Sequence, residues 1–510
     1  MKAISGCRRL FVVLGFVGVW ASTAQANTYY VSTSGRDTAV GTIDQPFLTI
    51  PKAYSIAVPG DTILVRGGIY SVSATISLSK SGTSTNRYYL LAYPGERPIL
   101  DCSTMAVNSS NRGIKLSGSY WTVKGLDVKG AGDNGMIVSG SNNVIDFCAF
   151  YENSDTGLQL GSGASNNQVI NCDSYFNVDP SQGNADGFAP KLDVGPGNYF
   201  YGCRSWQNSD DGWDGYLRPR PTQVIITTLE NCWSFNNGYL RTGSPSTGNG
   251  NGFKMGGSDS ANLEHNFILK NCLAFGNRVK GFDQNNNRGS MTLYNCTAYE
   301  NGTNYSIAGY IDSGSTVTVV NCVALGSYGS LGSFVVQQTN SWLSPFNVTS
   351  ADFASVDTTG VRGPRQADGS LPDVPFMHLA AGSQLIDAGT DVGLPYVGTA
   401  PDLGAFEYGM TNSVGTISLS SLPSSFRLLQ NYPNPFNPST QIEYQLQSSG
   451  YVTLRVYDIY GREIGPLDQG MKQAGTYNVV FKGERLASGV YFAVLRFEQK
   501  TSSIKLILVK

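Results

Sequence analysis

Short apolar runs of alternating residues, broken every few positions by Gly or Asn, fill the middle of the chain; Asn167 to Cys172, Leu263 to Cys272 and Met291 to Cys296 are three of them. Helical spacing is absent, so the runs read as strands. A repeat underlies them. Cys148-Ala-Phe-Tyr-Glu-Asn153 recurs as Cys172-Asp-Ser-Tyr-Phe-Asn177, Cys203-Arg-Ser-Trp-Gln-Asn208, Cys232-Trp-Ser-Phe-Asn-Asn237, Cys272-Leu-Ala-Phe-Gly-Asn277 and Cys296-Thr-Ala-Tyr-Glu-Asn301. Cys322-Val-Ala-Leu is a decayed last copy, with Ser327 where Asn is expected. The cysteine spacings are 24, 31, 29, 40, 24 and 26, and a base period near that shortest spacing with occasional insertions marks a solenoid. Three short strands per turn of chain predict a parallel β-helix, in which equivalent residues stack about 4.8 Å apart on successive rungs.

In such a coil the repeated residues form ladders: inward Cys, aromatics, and hydrogen-bonded Asn at a bend. Side chains in register on adjacent rungs run parallel instead of pointing at one another. The cysteines are therefore expected as buried free thiols, although the eight that remain if a leader carrying Cys7 is removed would, in an exported chain, also suit a disulfide framework. Two insertions, Val178 to Ala185 and Gly238 to Gly250, fall at the same bend after Asn177 and Asn237. Long loops rising from one edge of a solenoid are expected to wall a binding groove.

The strand after that bend begins with Gly and a large apolar residue: Gly157-Leu158, Gly187-Phe188, Gly212-Trp213, Gly252-Phe253 and Gly281-Phe282. Stacking these pairs makes Thr156, Asp186, Asp211, Asn251 and Lys280 one column, and Gln159, Ala189, Asp214, Lys254 and Asp283 another. Asp186, Asp210, Asp211 and Asp214 then converge at one bend, with Lys254 one rung beyond Asp214. Asp-Gly and Asn-Gly pairs alone are ordinary turn chemistry, as at Asp133-Asn134-Gly135. Three acids on one rung matched by a fourth on its neighbour need a cation, and hard oxygen ligands without His or Cys select Ca²⁺. A divalent ion beside Lys254 would favour the neutral amine that a base requires.

The two ends read differently. Lys2, Arg8 and Arg9 precede the apolar run Leu10 to Trp20, and Ala24-Gln25-Ala26 supplies a cleavage site, so residues 1–26 are expected to be a signal peptide. No later stretch is apolar for long enough to predict a membrane helix. A Ser/Gly/Leu linker is expected over 410–425, and from Phe426 clean alternation (Tyr451-Val-Thr-Leu-Arg-Val-Tyr457, Gly489-Val-Tyr-Phe-Ala-Val-Leu-Arg496) predicts a small β-sandwich over 426–510. Lys+Arg of 35 against Asp+Glu of 37 leaves no basic footprint for nucleic acid. Hydrophobic residues at 41% with charged ones at only 14% exclude bulk disorder.

Three stretches carry a resemblance: Asn184-Ala-Asp-Gly-Phe-Ala-Pro-Lys-Leu-Asp-Val-Gly-Pro-Gly-Asn198, Gly202-Cys-Arg-Ser-Trp-Gln-Asn-Ser-Asp-Asp-Gly-Trp-Asp214 and Asn251-Gly-Phe-Lys-Met-Gly-Gly257. Together they resemble the pectate lyases of polysaccharide lyase family nine. The opening Tyr29-Tyr-Val-Ser with Pro59-Gly-Asp-Thr-Ile-Leu-Val-Arg, and the closing Ala400-Pro-Asp-Leu-Gly-Ala-Phe-Glu407, look like that family's first rungs and last segment over residues 27–409. The resemblance implies an all-β, right-handed parallel β-helix with Ca²⁺ on Asp186, Asp210, Asp211 and Asp214 and Lys254 as Brønsted base. It also implies β-elimination on pectate (α-1,4-polygalacturonan) by a secreted monomer. Gln430-Asn-Tyr-Pro-Asn-Pro-Phe-Asn-Pro-Ser-Thr440 and the Lys-rich end through Lys505 and Lys510 are similar to type A sorting domains of the type IX secretion system, whose machinery would be the tail's partner. Arg218, Arg220, Arg241 and Arg288 are candidates to pair further uronates. A polygalacturonase-type hydrolase, a lyase acting on another uronan and a non-catalytic glycan-binding solenoid are the competing readings.

Overall fold

The computed structural model describes residues 26–218, 224–258, 263–410, 426–446, 450–472, 475–484, 486–497 and 500–510. All but the last residue of the expected leader, all but the first of the expected linker, and Arg220 lie outside them. Three parallel sheets of twelve, ten and ten strands wind as a right-handed β-helix, each rung contributing one strand to each sheet. One rung runs Gln168–Ile170, Asp173–Tyr175 and then Phe188–Pro190, which pair with Tyr199–Tyr201, Arg204–Trp206 and Trp213 on the next.

The turn between the first two strands of a rung is set by the residue just before each ladder cysteine. All of them lie in the left-handed region: Asn171, Asn231, Asn271, Asn295 and Asn321 at φ 51°, 53°, 50°, 52° and 56°, with Phe147 at 53° and Gly202 at 61° in the other two places. Asn tolerates that conformation better than other side chains. The cysteines that follow point inward, are free and buried, and donate to backbone carbonyls such as that of Ile145 from Cys172 (3.5 Å). They stack in parallel as thiols, with no disulfide among the described residues.

At the wider bend the Asn ladder is continuous. Nδ2 of Asn153, Asn177, Asn208, Asn237 and Asn277 donates to Oδ1 of the next Asn at 2.9, 2.8, 2.9, 3.0 and 2.8 Å, ending on Asn301. Every member is satisfied, which is the condition for a buried polar network to stabilise. The following Gly has a steric reason. A Cβ on Gly212 would lie 2.0 Å from Ser234 Oγ, which donates to the Gly252 carbonyl.

Two aromatic ladders flank this bend. Phe188, Trp213, Phe253, Phe282 and Tyr305 stack inside the coil with centroids 4.8, 4.9, 5.1 and 5.0 Å apart. The aromatics of the cysteine motif (Tyr151, Tyr175, Trp206, Phe235, Phe275) stack on the outer face instead. They are covered by the chain after the last rung, whose Phe353, Val361, Phe376 and Leu403 share a core with Trp206, Phe235 and Phe275. Arg365 from this strap joins Arg204 on the half-buried Asp173 carboxylate, at 2.7 and 2.8 Å. At the other end the helix Ile50–Ile56, N-capped by Thr49, buries Ile50 and Ala53 against the first rung.

The tail builds two antiparallel sheets, of three and four strands. They share a separate core of Ile442, Tyr444, Val452, Leu454, Leu495 and Leu506. No helix among the described residues is long and apolar enough to cross a membrane.

Candidate active site

The acidic cluster forms where the Gly-aromatic strands start. Phe188 pairs with Trp213, Trp213 with Phe253, and Asp214 with Lys254, which in turn pairs with Asp283. Asp186 and Asp211 therefore occupy equivalent positions on consecutive rungs, as the columns predict. One carboxylate oxygen from each of Asp186, Asp211 and Asp214 lies within 4.8 Å of the others, and all three residues are buried. Asp210 stands beside this trio, with Oδ1 taken by the Asn249 amide.

Backbone and hydroxyl donors aim the other carboxylates. Asp186 accepts from the Asp211 amide (3.2 Å) and Thr156 Oγ1 (3.1 Å), Asp211 from the Asn251 amide (2.8 Å), and Asp214 from the Tyr216 amide (3.1 Å). Asp211 Oδ2 is buried and accepts no hydrogen bond of good geometry; Lys254 Nζ pairs with it as an ion, at 2.9 Å. Lys254 Nζ also lies 3.2 Å from Asp214 Oδ1. A second ammonium, Lys191, contacts Asp186 Oδ2 (2.6 Å), Asp214 Oδ2 (3.5 Å) and Asn184 Oδ1 (3.3 Å). The columns do not reveal Lys191, because equivalent positions after the other strands hold Gly161, Tyr216, Gly256 and Asn285.

Burial and mutual repulsion strain the charges. Burial pushes Asp186 well above the usual carboxylate range against the pull of Lys191, and raises Asp211 to about 7 against that of Lys254. Burial also raises Asp210. Asp214, although buried, is held low because both lysines face it. Burial opposes the Lys254 ammonium, but Asp211, Asp214, Asp186 and Asp210 outweigh it and hold that amine well above its ordinary value. The clustered hard oxygens, aimed by backbone donors and one of them held by an ion pair alone, fit a calcium ion.

The site opens into a cavity of about 400 Å³ that extends toward earlier rungs. Both insertions wall it: Gly183, Asn184 and Asn249 line the cavity, and Thr247 Oγ1 of the second loop donates to the Ser181 carbonyl of the first (3.0 Å). Arg218 lines it too, and so does Arg112, which column comparison misses. Arg112 pairs with Asp133 at 3.0 Å, where burial and the neighbouring Asp155 push the Asp133 carboxyl up to about 6. Arg241 is committed to Glu152, and Arg288 to Asp312 (3.2 Å) under the Tyr310 ring. Neither lines the cavity. His265 is buried between Gly215 O and Thr227 Oγ1, and burial lowers its pKa to about 4, so it is a neutral support behind the site.

Residues 29–325 match the family model described as Pel9A-like, right handed beta helix region. The chain belongs to this family. Its relatives include pectate lyase L of Dickeya dadantii, 39% identical over 74% of this chain and 90% of that protein, and pectate lyase PEL9 of Emericella nidulans, 34% identical over 71% and 94%. Among solved structures, pectate lyase Pel9A superposes with a TM-score of 0.69 at 38% identity, covering 75% of this chain and 97% of that one. A rhamnogalacturonan lyase superposes at 0.63 and 28% identity, over 71% and 98%. The Pel9A-like chain is thus a polysaccharide lyase, and its residues 430–510 match the secretion system C-terminal sorting domain.

Proposed function

We propose that the chain is a secreted, calcium-dependent pectate lyase that cleaves α-1,4-polygalacturonan by β-elimination with Lys254 as base. The observation that carries this reading is Lys254 Nζ placed between Asp211 and Asp214 at the edge of the cavity. Asp186, Asp210, Asp211 and Asp214 would hold Ca²⁺. When bound, calcium supplies Lewis acidity toward a uronate carboxylate, which acidifies the proton on C5. Lys254, relieved of its carboxylate partners, takes that proton. The electron pair forms the C4–C5 double bond, the C4–O bond breaks, and the leaving oxygen is protonated by water. The insertion loops hold the polymer over the site and limit access of bulk water.

Hydrolysis by an inverting pair fits poorly. Its two carboxyl groups stand roughly 6.5–9.5 Å apart to admit water, whereas Asp186, Asp211 and Asp214 present oxygens within 4.8 Å. The higher identity to the pectate lyases favours galacturonan over rhamnogalacturonan. A panel of both polymers, with and without calcium, tests the reading: pectate digestion should raise absorbance near the ultraviolet edge as unsaturated uronate forms. Reducing ends released without that absorbance would establish a hydrolase, and turnover of rhamnogalacturonan alone would reassign the substrate.

The sorting-domain match at the tail supports export. We read residues 1–26 as the leader, 27–409 as the catalytic unit, 410–425 as linker and 426–510 as the sorting unit.

A further inference from the structure

Lys191 has no part in the proposed chemistry, yet it is one of the most buried ammonium groups in the protein, at 4% exposure. It follows the strand Phe188–Pro190 on the rung of Asp186 and leans over the next rung toward Asp214. The oxygens around it, from Asp186, Asp214 and Asn184, are those a hard cation takes. The carboxylates do not need it for their aim. Asp186 keeps the Asp211 amide and the Thr156 hydroxyl as donors, and Asp214 keeps the Tyr216 amide. What Lys191 adds is charge. Four aspartates facing two lysines leave two negative charges when all are ionised, which matches a single divalent ion.

We propose that Lys191 is a permanent internal counter-cation that holds down the calcium affinity of the cluster. This rests on the reading of the aspartates as a calcium site. Lys254 has to release its carboxylates to act as a base, but Lys191 has no such demand and stays beside two of the ligands. A unit positive charge that close to a divalent ion weakens its binding by about tenfold or more, even at the effective dielectric of a protein surface. Calcium then exchanges with the medium instead of being trapped, and the lyase follows the calcium concentration around it.

The test is calorimetric titration of calcium into the full chain, independent of turnover. Lys191→Met and Lys191→Gln should each bind calcium about tenfold or more tightly, and Lys191→Arg, which keeps the charge, should stay near the wild-type affinity. Lys191→Gln retains a hydrogen-bond donor to Asp186, so it gives the same reading if the Met variant fails to fold. Weaker or unchanged binding in the neutral variants, with wild-type binding intact, would make Lys191 a positioning or substrate-binding group and overturn the proposal alone. A wild-type chain that takes no calcium would overturn the calcium site itself.

Discussion

Asp214 and Lys254 are register partners on adjacent strands, and Asp214 is the one carboxylate of the cluster that touches both buried lysines. It is also the one whose pKa the surroundings lower. The charge of the site is therefore organised around Asp214, with Asp186 and Asp211 on either side.

Lys254→Ala should lose at least the roughly 10²–10⁴-fold in turnover that general-base catalysis supplies. Calcium binding, read by calorimetry, should persist or tighten, since the variant removes a competitor for Asp211 and Asp214. Turnover within a few-fold of wild type would take the lysine out of the chemistry.

Chelation should abolish activity, and Mg²⁺ should restore little, because a crowded carboxylate site suits the larger and more adaptable ion. Added calcium should also raise the melting temperature, as ligands that bind only the folded state do. Asp211→Ala should remove both effects while far-ultraviolet circular dichroism stays that of a β-helix. Full activity in excess chelator is the result that contradicts the metal.

The strap is predicted to be acid-labile at Asp173. Desolvation opposes its ionisation, but that carboxyl is held below its ordinary value because Arg365 and Arg204 both face it. A depressed folded pKa contributes stability that is present above the unfolded value, about 3.9, and is lost as pH falls below it. Asp173→Asn leaves two buried guanidinium groups without their counter-charge and should cost about 3 kcal/mol at neutral pH, the lower end of what breaking a buried ion pair does. The gap between variant and wild type should narrow in denaturant melts below about pH 4. An unchanged gap down that range would show that the pair contributes no pH-dependent stability.

Deleting Phe426 to Lys510 should leave lyase turnover intact, because the tail has a core of its own. In a host with the matching secretion system the truncated protein should remain in the periplasm, as scored by cell fractionation. Arrival in the medium would give the tail another task.

The columns of the repeat made most of the site legible. Gly187, Gly212 and Gly252 mark the same point on three rungs, so counting from them along the sequence places Asp186, Asp211, Asp214 and Lys254 together. Lys191 and Arg112 were not legible. They enter the cavity as single residues whose columns hold unrelated types, and only their reach across rungs brings them in. The strap was visible only as a closing segment, because irregular chain with little secondary structure has no periodicity to read. Its apolar residues match the outer aromatic ladder in space, not in spacing. The outward direction of that ladder follows from strand alternation, once the cysteine before it is known to point inward.

The Asn ladder spans 24, 31, 29, 40 and 24 residues of chain from one rung to the next without a break. Two of the longer spans take their extra chain at that corner, after Asn177 and Asn237, so contour length there is uncoupled from rise along the axis. Residues added there deepen the cleft without disturbing the stacked interior. A loop graft at this corner, above an unaltered Asn side chain, offers a way to lengthen or narrow the polymer's berth while the acids beneath keep their positions.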